Sequence, residues 1–292
     1  MFIIYQNKEC LVEIYGGFGN QLFQLNFAQI LKNKGFEVFV NTRDFERVAK
    51  ENSEHLTARK LVLPVENFNL NEIRNQEYIN YKLRRITRNY KILNKATLNN
   101  KTFSVVNDNN LDLENLLKKN HFIGYWQDLN YLKENKESLI SSLKNNETIK
   151  GSLEEKSNDM TMIHVRRNDY LKFNEELPII YYEKAIDYLK EKRNKLNFNV
   201  FTDDLPWSKN QKIFKNAQNI FTSSDSPKET IETFSLMLRN KNFIIANSTF
   251  SLLAAFLAEK SNSIITYPDP WFRSRSYNKN ITSSKWQKIK YN

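Results

Sequence analysis

Residues 11–40, L-V-E-I-Y-G-G-F-G-N-Q-L-F-Q-L-N-F-A-Q-I-L-K-N-K-G-F-E-V-F-V, have the pattern of a strand, a glycine-rich turn, a helix and a second strand. The apolar run at 11–15 ends at two glycines, and apolar residues then recur at helical spacing over 20–34. Gly35 is typical of a helix end, and 37–40 is a short, mostly apolar run. Because two parallel strands need a crossover connection such as a helix, this pattern predicts a parallel sheet.

The second half of the chain alternates strands and helices more regularly, which is typical of a parallel sheet covered on both faces. The strands are predicted at 161–165, 198–202, 243–246 and 263–267, and the helices at 178–191, 228–239 and 248–259. The polar stretch 145–159 has the composition of a connector. We therefore predict an α/β fold with two Rossmann-like domains, residues 1–155 and 156–292, facing each other across a cleft.

The region between these two patterns is less regular. Helices are predicted around 80–93 and 111–119, and a strand at 121–125. A further helix is predicted at 129–143. These elements complete the first domain.

The composition is that of a folded protein without disulfides. Hydrophobic residues make up 40% of the 292 residues, with only 6 Gly and 6 Pro, which disfavours low-complexity and disordered classes. The single cysteine, Cys10, cannot form a disulfide within the chain, and one Cys with three separated His residues cannot supply a structural zinc site. We expect a reducing, cytoplasmic setting.

Charge and hydropathy indicate which partners the protein could bind. No apolar run approaches the roughly 20 residues of a membrane span, and the first residues lack the pattern of a signal peptide. The formal net charge of +11 would suit nucleic acid, an anionic membrane surface or a phosphorylated substrate. Dispersed Lys and Arg disfavour nucleic acid, which stays an alternative. Peripheral association with the inner face of a membrane also stays open.

Two arginines and an aspartate follow a predicted strand directly, in H-V-R-R-N-D-Y at 164–170. The carboxyl end of a parallel strand faces the ligand crevice, and strand alternation places His164 and Arg166 on the face opposite Arg167. A guanidinium is a rigid fork that matches two phosphate oxygens and remains charged. Arg166 is therefore the phosphate candidate. The alternative is a salt bridge between Arg167 and Asp169.

The glycine-rich turn has two interpretations. It lacks the Lys-Ser/Thr of a P-loop and, with Leu22 in its place, the third glycine of a dinucleotide fingerprint. A backbone that approaches a ligand closely remains possible, with Asn20 and Gln21 as neutral hydrogen-bonding side chains at the helix start. A plain tight turn is the alternative.

Two further strand ends carry polar residues. Ser248 after the strand at 243–246 is a good helix N-cap, and the same helix start could bind a phosphate. Asp203 and Asp204 after the strand at 198–202 could bind a nucleobase or ribose, or cap the next helix. No Asp-x-Asp occurs in the chain, so the usual carboxylate clamp for a metal-bound nucleotide sugar is missing, and we predict a site without a metal or other cofactor.

Five segments together resemble the bacterial α-1,2-fucosyltransferases of glycosyltransferase family 11. They are G-G-F-G-N-Q-L-F-Q at 16–24, F-I-G-Y-W-Q-D at 122–128, H-V-R-R-N-D-Y at 164–170, F-T-D-D at 201–204 and I-I-A-N-S-T-F-S at 244–251. The resemblance spans nearly the whole chain, and the first and third segments are its most specific parts. It implies a GT-B architecture with an N-terminal acceptor-side domain and a C-terminal donor domain.

The resemblance also implies a reaction and its residues. The reaction would be an inverting, metal-independent transfer of L-fucose from GDP-fucose to the 2-hydroxyl of a terminal galactose on a surface polysaccharide. Another acceptor or linkage is the alternative. Arg166 would contact the distal phosphate, Asn20 would face the reacting centre, and further residues fall on donor positions (His164, Asp203, Ser248, Thr249, Ser251) and on the acceptor-side loop (Gly17, Gln21).

The catalytic base and the acceptor are the open points. Asp169 is the candidate base, although Arg167 beside it would lower its pKa, and a cation-like sugar in the transition state could make a strong base unnecessary. The chain also departs from the family pattern at three places: Asn168 replaces glycine, Asn240-Lys241-Asn242 replaces Cys-Lys-His, and Leu252-Leu253 replaces two tryptophans. The last two departures concern packing or the shape of the acceptor site.

Overall fold

The computed structural model describes residues 8–46, 59–73, 121–155, 157–193, 195–222 and 226–291. The helices predicted around 80–93 and 111–119 lie outside the described residues. The chain divides into two compact units. The first takes in the chain up to Gly16 and Asn20–Ser142, and the second takes in Gly17–Gly19 and the chain from Leu143 onward.

The first unit is built on a parallel sheet. Its elements are β1 (Lys8–Glu13), α1 (Phe18–Asn33), β2 (Phe36–Asn41), β3 (Asn71–Glu72), β4 (His121–Phe122), α2 (Leu129–Glu134) and α3 (Lys136–Leu143). The strand order is β3-β2-β1-β4, and β1 pairs in parallel with β2 and with β4. The predicted β-α-β unit is confirmed, and the apolar face of α1, including Leu22, Phe23 and Phe27, is buried.

Two elements of the first unit differ from their predicted extent. The strand predicted at 121–125 is only His121–Phe122, because the chain turns at Trp126, whose φ is 56°. The helix predicted at 129–143 is interrupted at Asn135, whose φ is −119°. The buried Asn135 amide donates to the side-chain oxygens of Asn26 and Gln29 on α1, both at 3.1 Å, and these bonds compensate for the break in the helix.

The second unit contains a larger parallel sheet with the strand order β10-β9-β8-β5-β6-β7. Its strands are β5 (Thr161–Val165), β6 (Phe198–Thr202), β7 (Asn219–Thr222), β8 (Asn242–Ile244), β9 (Ile265–Asp269) and β10 (Gln287–Lys290). Its helices are α4 (Glu147–Glu154), α5 (Asn168–Leu171), α6 (Ile179–Lys192), α7 (Leu205–Asn210), α8 (Pro227–Leu238) and α9 (Thr249–Ala258). The predicted fold class, two α/β units with parallel sheets, is confirmed.

The polar stretch at 145–159 is not a connector, since it contains α4. Only Ile149 and Ser152 of α4 are buried, so its single apolar contact face is too narrow to stand out in the sequence. The guanidinium of Arg239, which follows α8, donates to the Ser152 hydroxyl at 3.1 Å. The helix therefore belongs to the second unit, and the division of the chain at Ser142 and Leu143 precedes the predicted boundary at 155 and 156.

No helix among the described residues is long and apolar enough to cross a membrane.

Candidate active site

Arg166 lies at the carboxyl end of β5 and is held by two carboxylates. One terminal nitrogen lies 2.7 Å from Oδ1 of Asp169, and the other lies 3.1 Å from Oδ2 of Asp203. The guanidinium carbon is 5.7 Å from the centroid of the Tyr170 ring. Asp203 follows β6, the direct neighbour of β5 in the sheet, so the pairing of two parallel strands brings these groups together.

Arg167 contacts a different carboxylate and an aromatic ring. Its Nε lies 3.0 Å from Oδ2 of Asp204, and its guanidinium carbon is 4.0 Å from the ring centroid of Trp207. Asp204 also caps α7 by accepting a hydrogen bond from the Trp207 amide at 3.1 Å. The predicted opposite placement of Arg166 and Arg167 is confirmed. The alternative salt bridge between Arg167 and Asp169 is wrong, because Asp169 pairs with Arg166 instead.

Asp203 holds the loop that carries both arginines. Its carboxylate accepts hydrogen bonds from the backbone amides of Arg167 at 2.8 Å and Asn168 at 3.3 Å. Together with the ion pair to Arg166, these bonds occupy both carboxylate oxygens. A carboxylate that receives two amides and a guanidinium fixes the backbone of this turn. In this structure Asp203 therefore positions Arg166, and its predicted contact with the donor stays a prediction.

The electrostatics keep Arg166 charged and His164 neutral. Burial acts to lower the pKa of Arg166, but Asp203 and Asp169 outweigh it and raise the pKa. Burial, assisted by the charge of Arg166, lowers the pKa of the His164 imidazole to about 3. Burial also raises the pKa of Asp203, against the opposing effects of Arg166 and the two amides. The cluster thus combines one permanent cation with two carboxylates.

His164 is buried beneath this cluster. Its ring centroid is 6.1 Å from that of Phe250, and its Nδ1 atom is buried without a hydrogen-bond partner. A direct contact between this nitrogen and a donor would require local movement, since the ring is only 5% exposed. The predicted donor contact from His164 stays a prediction.

The start of α9 was predicted to bind phosphate through three side chains. Ser248 caps the helix by accepting from the Phe250 amide at 3.4 Å, and Thr249 is partly exposed. The buried hydroxyl of Ser251 instead donates to the carbonyl of Ser248 at 3.2 Å. The Ser251 side chain therefore supports the helix start, and its predicted contact with the donor stays a prediction.

Gly19 packs directly against the start of α9. A Cβ atom added to Gly19 would lie 2.5 Å from Oγ1 of Thr249 and 2.7 Å from the backbone nitrogen of Phe250. The centroid of the preceding Phe18 ring is 5.1 Å from that of Phe234 and 6.3 Å from that of Phe250. The glycine-rich turn was interpreted as a close approach to a ligand or as a plain turn. The structure shows a third reason for glycine, a close approach to another helix.

The acceptor-side residues of the glycine loop have unequal roles. The Gln21 amide is buried, donates to the carbonyls of Gly16 and Lys60, both at 2.9 Å, and accepts from the amide of Val62 at 3.0 Å. Gln21 therefore holds the 60–62 segment, and its predicted acceptor-side role stays a prediction. Asn20 and Gly17 are partly exposed, and their predicted acceptor-side roles stay predictions.

The sequence did not single out three residues of the second unit: Tyr170, which lies beside Arg166, and the pair Glu175 and Arg275. Burial raises the pKa of the Tyr170 phenol to about 12, so it stays protonated and donates to the Asn247 carbonyl at 2.9 Å. The buried carboxylate of Glu175 accepts from the amides of Arg273 at 2.7 Å and Ser274 at 3.1 Å. Arg275 lies 4.6 Å from the Phe173 ring centroid. The R-S-R triplet at 273–275 was the available sequence signal.

A cation site is not evident around these groups. Within the residues that the structure describes, no three His, Cys, Asp or Glu side chains are grouped so that they could hold a metal ion. The carboxylates of Asp203 and Asp169 instead pair with Arg166.

Comparison with known proteins gives the family. The model of the family described as Glycosyl transferase family 11 matches residues 10–290. The chain belongs to glycosyl transferase family 11. This family 11 protein is therefore a glycosyltransferase, as predicted, and all five segments that carried the resemblance lie within the match.

Two curated relatives of this family 11 glycosyltransferase come from Escherichia coli. The O-antigen biosynthesis glycosyltransferase WbnK is 29% identical over 93% of this chain and 97% of its own length. An alpha-1,2-colitosyltransferase is 34% identical over 58% of this chain and 62% of its own length. Among solved structures, NodZ alpha-1,6-fucosyltransferase co-crystallized with GDP is 12% identical, with a TM-score of 0.44, over 86% of this chain and 93% of that chain.

Proposed function

We propose that this family 11 glycosyltransferase transfers L-fucose from GDP-fucose to the 2-hydroxyl of a terminal galactose, with inversion and without a divalent metal. The observation that carries the proposal is Arg166, a partly buried cation at the carboxyl end of β5 held between Asp169 and Asp203. Negative charge grows on the distal phosphate as the sugar leaves. A fixed guanidinium there stabilises the transition state more than the ground state.

The ion pairs of Arg166 suggest how the donor enters. With Asp169 and Asp203 the guanidinium forms a cluster whose formal charge is negative, which would repel a diphosphate. Asp203 is held in place by the backbone amides of Arg167 and Asn168 in addition to its ion pair with Arg166. We infer that the diphosphate replaces Asp169 on Arg166, while Asp203 keeps the arginine in place.

The same exchange gives Asp169 a role in the transfer. Once separated from Arg166, its carboxylate can face the acceptor hydroxyl and take the proton of that hydroxyl. The acceptor 2-oxygen then forms a bond to C1 of fucose on the face opposite the leaving group. The bond from C1 to the phosphate oxygen breaks, GDP leaves with that electron pair, and Asp169 takes the hydroxyl proton.

A transfer assay tests the proposal. The purified chain with GDP-fucose, lactose and EDTA should yield GDP and a trisaccharide whose new linkage, read by NMR, is to the 2-hydroxyl of galactose. EDTA should not slow the reaction, since Arg166 supplies the positive charge at the phosphate. Absence of transfer to any galactoside would contradict the proposed galactose acceptor. Strong inhibition by EDTA would contradict the proposed metal independence. A thermal shift with GDP but not with ADP or UDP would exclude the nucleic-acid-binding alternative.

Replacement of Asp169 tests the base. Asp169→Asn should lower kcat by about 100-fold, because the carboxylate that accepts the proton is lost. The affinity for GDP, measured by calorimetry, should be unchanged or higher because the competing carboxylate is gone. A folded variant with unchanged kcat would show that Asp169 is not the base.

A second donor is favoured by one observation. The relative that is 34% identical over 58% of this chain is a colitosyltransferase, and colitose is L-fucose without its 3-hydroxyl. A donor site built to hydrogen-bond that hydroxyl would strongly reject the deoxy sugar, whereas an apolar site would accept both. Competition between GDP-fucose and GDP-colitose in one assay would decide between the two donors.

The predicted surface-polysaccharide acceptor, cytoplasmic location and peripheral membrane association remain proposals alongside this function.

A further inference from the structure

Two tyrosines lie side by side at the carboxyl edge of the sheet in the first unit. Tyr15 follows β1 and Tyr125 follows β4, and these are adjacent parallel strands. Their ring centroids are 4.9 Å apart with an interplanar angle of 47°, so the rings form an open angle. Both side chains are partly exposed. In open α/β sheets this edge is where ligands bind.

A buried side chain holds the backbone segments that carry the two tyrosines. The fully buried Gln24 side chain accepts from the Tyr15 amide and donates to the Gly124 carbonyl, each at 3.0 Å. One side chain thus ties together the two segments that hold the rings. A surface held in advance of binding loses less conformational entropy when a ligand arrives.

Trp126 adds a second restraint. Its φ of 56° lies in the left-handed region that a bulky residue rarely adopts. Its ring is buried and stacks on Phe27 with centroids 3.9 Å apart and an interplanar angle of 5°. The neighbours on either side, Tyr125 and Gln127, stay partly exposed. The unusual backbone therefore places one aromatic in the core and leaves its two neighbours at the surface.

Neutral amides lie beside the tyrosines. The Gln127 amide donates to the side-chain oxygen of Asn20 at 2.9 Å. A Cβ atom added to Gly16 would lie 3.1 Å from Nδ2 of Asn20 and 3.5 Å from Cε1 of Tyr125, so Asn20 and Tyr125 both border this glycine.

The charges around the tyrosines favour a neutral ligand. Burial, together with Tyr125, Asp44 and Glu13, raises the pKa of the Tyr15 phenol, so it stays protonated and can donate. Two of these neighbours are acids, and they would repel a nucleotide or phosphate. Two phenols and two amides next to acidic groups instead suit a ligand rich in hydroxyls.

We propose that Tyr15, Tyr125, Asn20 and Gln127, here named the tyrosine platform, bind the terminal hexose of the acceptor. A galactose ring carries C–H groups at positions 3, 4 and 5 on one face, which pack against an aromatic ring, while its hydroxyls reach the amides and phenols. Tyrosine suits this contact because it combines a flat apolar body with a polar end. The inference rests on the proposed function and names its acceptor contacts.

Direct acceptor binding without the donor tests the platform. Saturation-transfer NMR and titration of the full chain with methyl β-galactoside should show saturation of the protons at positions 3, 4 and 5. Tyr125→Ala and Tyr15→Ala should each weaken binding at least 10-fold and raise the acceptor KM by a similar factor. Tyr125→Phe, which keeps the ring, should stay within about threefold. GDP affinity should remain unchanged in all of these variants.

Tyr131→Ala is the matched control. Tyr131 lies in the same unit and packs on Phe27, with centroids 5.8 Å apart, but is not part of the platform. Tyr131→Ala should leave the affinity for methyl β-galactoside unchanged. Thermal denaturation checks that every variant is folded. Absence of galactoside binding by the wild type, or equal affinity in the folded alanine variants, would overturn the platform. Absence of both GDP binding and transfer to any acceptor would instead overturn the proposed function.

Discussion

Arg166→Ala is expected to reduce kcat for sugar transfer by about 10³- to 10⁴-fold, the range found when a cation that stabilises phosphate charge in the transition state is removed. The physical reason is the position of the guanidinium, which two carboxylates hold at the carboxyl end of β5. GDP affinity should fall less than kcat, because the charge on the distal phosphate grows only as the sugar leaves. Steady-state rates and GDP calorimetry together measure this difference.

The alanine variant leaves Asp169 and Asp203 close together without their shared cation, so its folding must be measured by thermal denaturation. Arg166→Lys provides the second variant, since it keeps the charge but loses the planar fork, and it should recover only part of the rate. Arg239→Ala is the matched control, because Arg239 is a half-exposed arginine of the same unit, 3.1 Å from Glu155. A folded Arg166→Ala protein with near-normal kcat would remove the central residue of the proposed mechanism.

The central strands could be predicted from the sequence because they are buried on both faces. T-M-I-H-V and F-N-V-F-T, which form β5 and β6, are buried at every position and so appear as continuous, mostly apolar runs. The strands β7 and β10 were missed because they lie at the sheet edges and carry exposed polar residues. Edge strands lack the pattern that burial on two faces imposes.

The candidate site was predictable only in its local geometry. Strand alternation predicted that Arg166 and Arg167 would point apart, because that depends on neighbouring residues alone. The ion pair between Arg166 and Asp203 depends on β5 lying beside β6, which sequence spacing does not specify. The role of Gln21 depends in the same way on the distant carbonyl of Lys60.

An added methyl group at Gly19 should cause a large loss of stability. In Gly19→Ala the Cβ would lie 2.6 Å from the backbone carbonyl carbon of Thr249 and 2.7 Å from the backbone nitrogen of Phe250. Backbone atoms at the start of a helix cannot move aside as a flexible side chain can. We expect a free energy of unfolding lower by about 3 kcal/mol, together with a loss of transfer activity of at least about 100-fold because the start of α9 is displaced. Thermal denaturation and the transfer assay measure the two effects.

Two other glycines separate a specific clash from a general effect of alanine. A Cβ at Gly17 or at Gly151 would meet no atom within 4 Å. Gly17→Ala should therefore change the free energy of unfolding by less than about 0.5 kcal/mol, and Gly151→Ala, inside α4, should raise it by up to about 1 kcal/mol and leave transfer unchanged. If Gly19→Ala were as stable and active as Gly151→Ala, the close approach of Gly19 to α9 would not be needed for the fold or for catalysis. If it were stable but inactive, the start of α9 would act in catalysis independently of its contribution to stability.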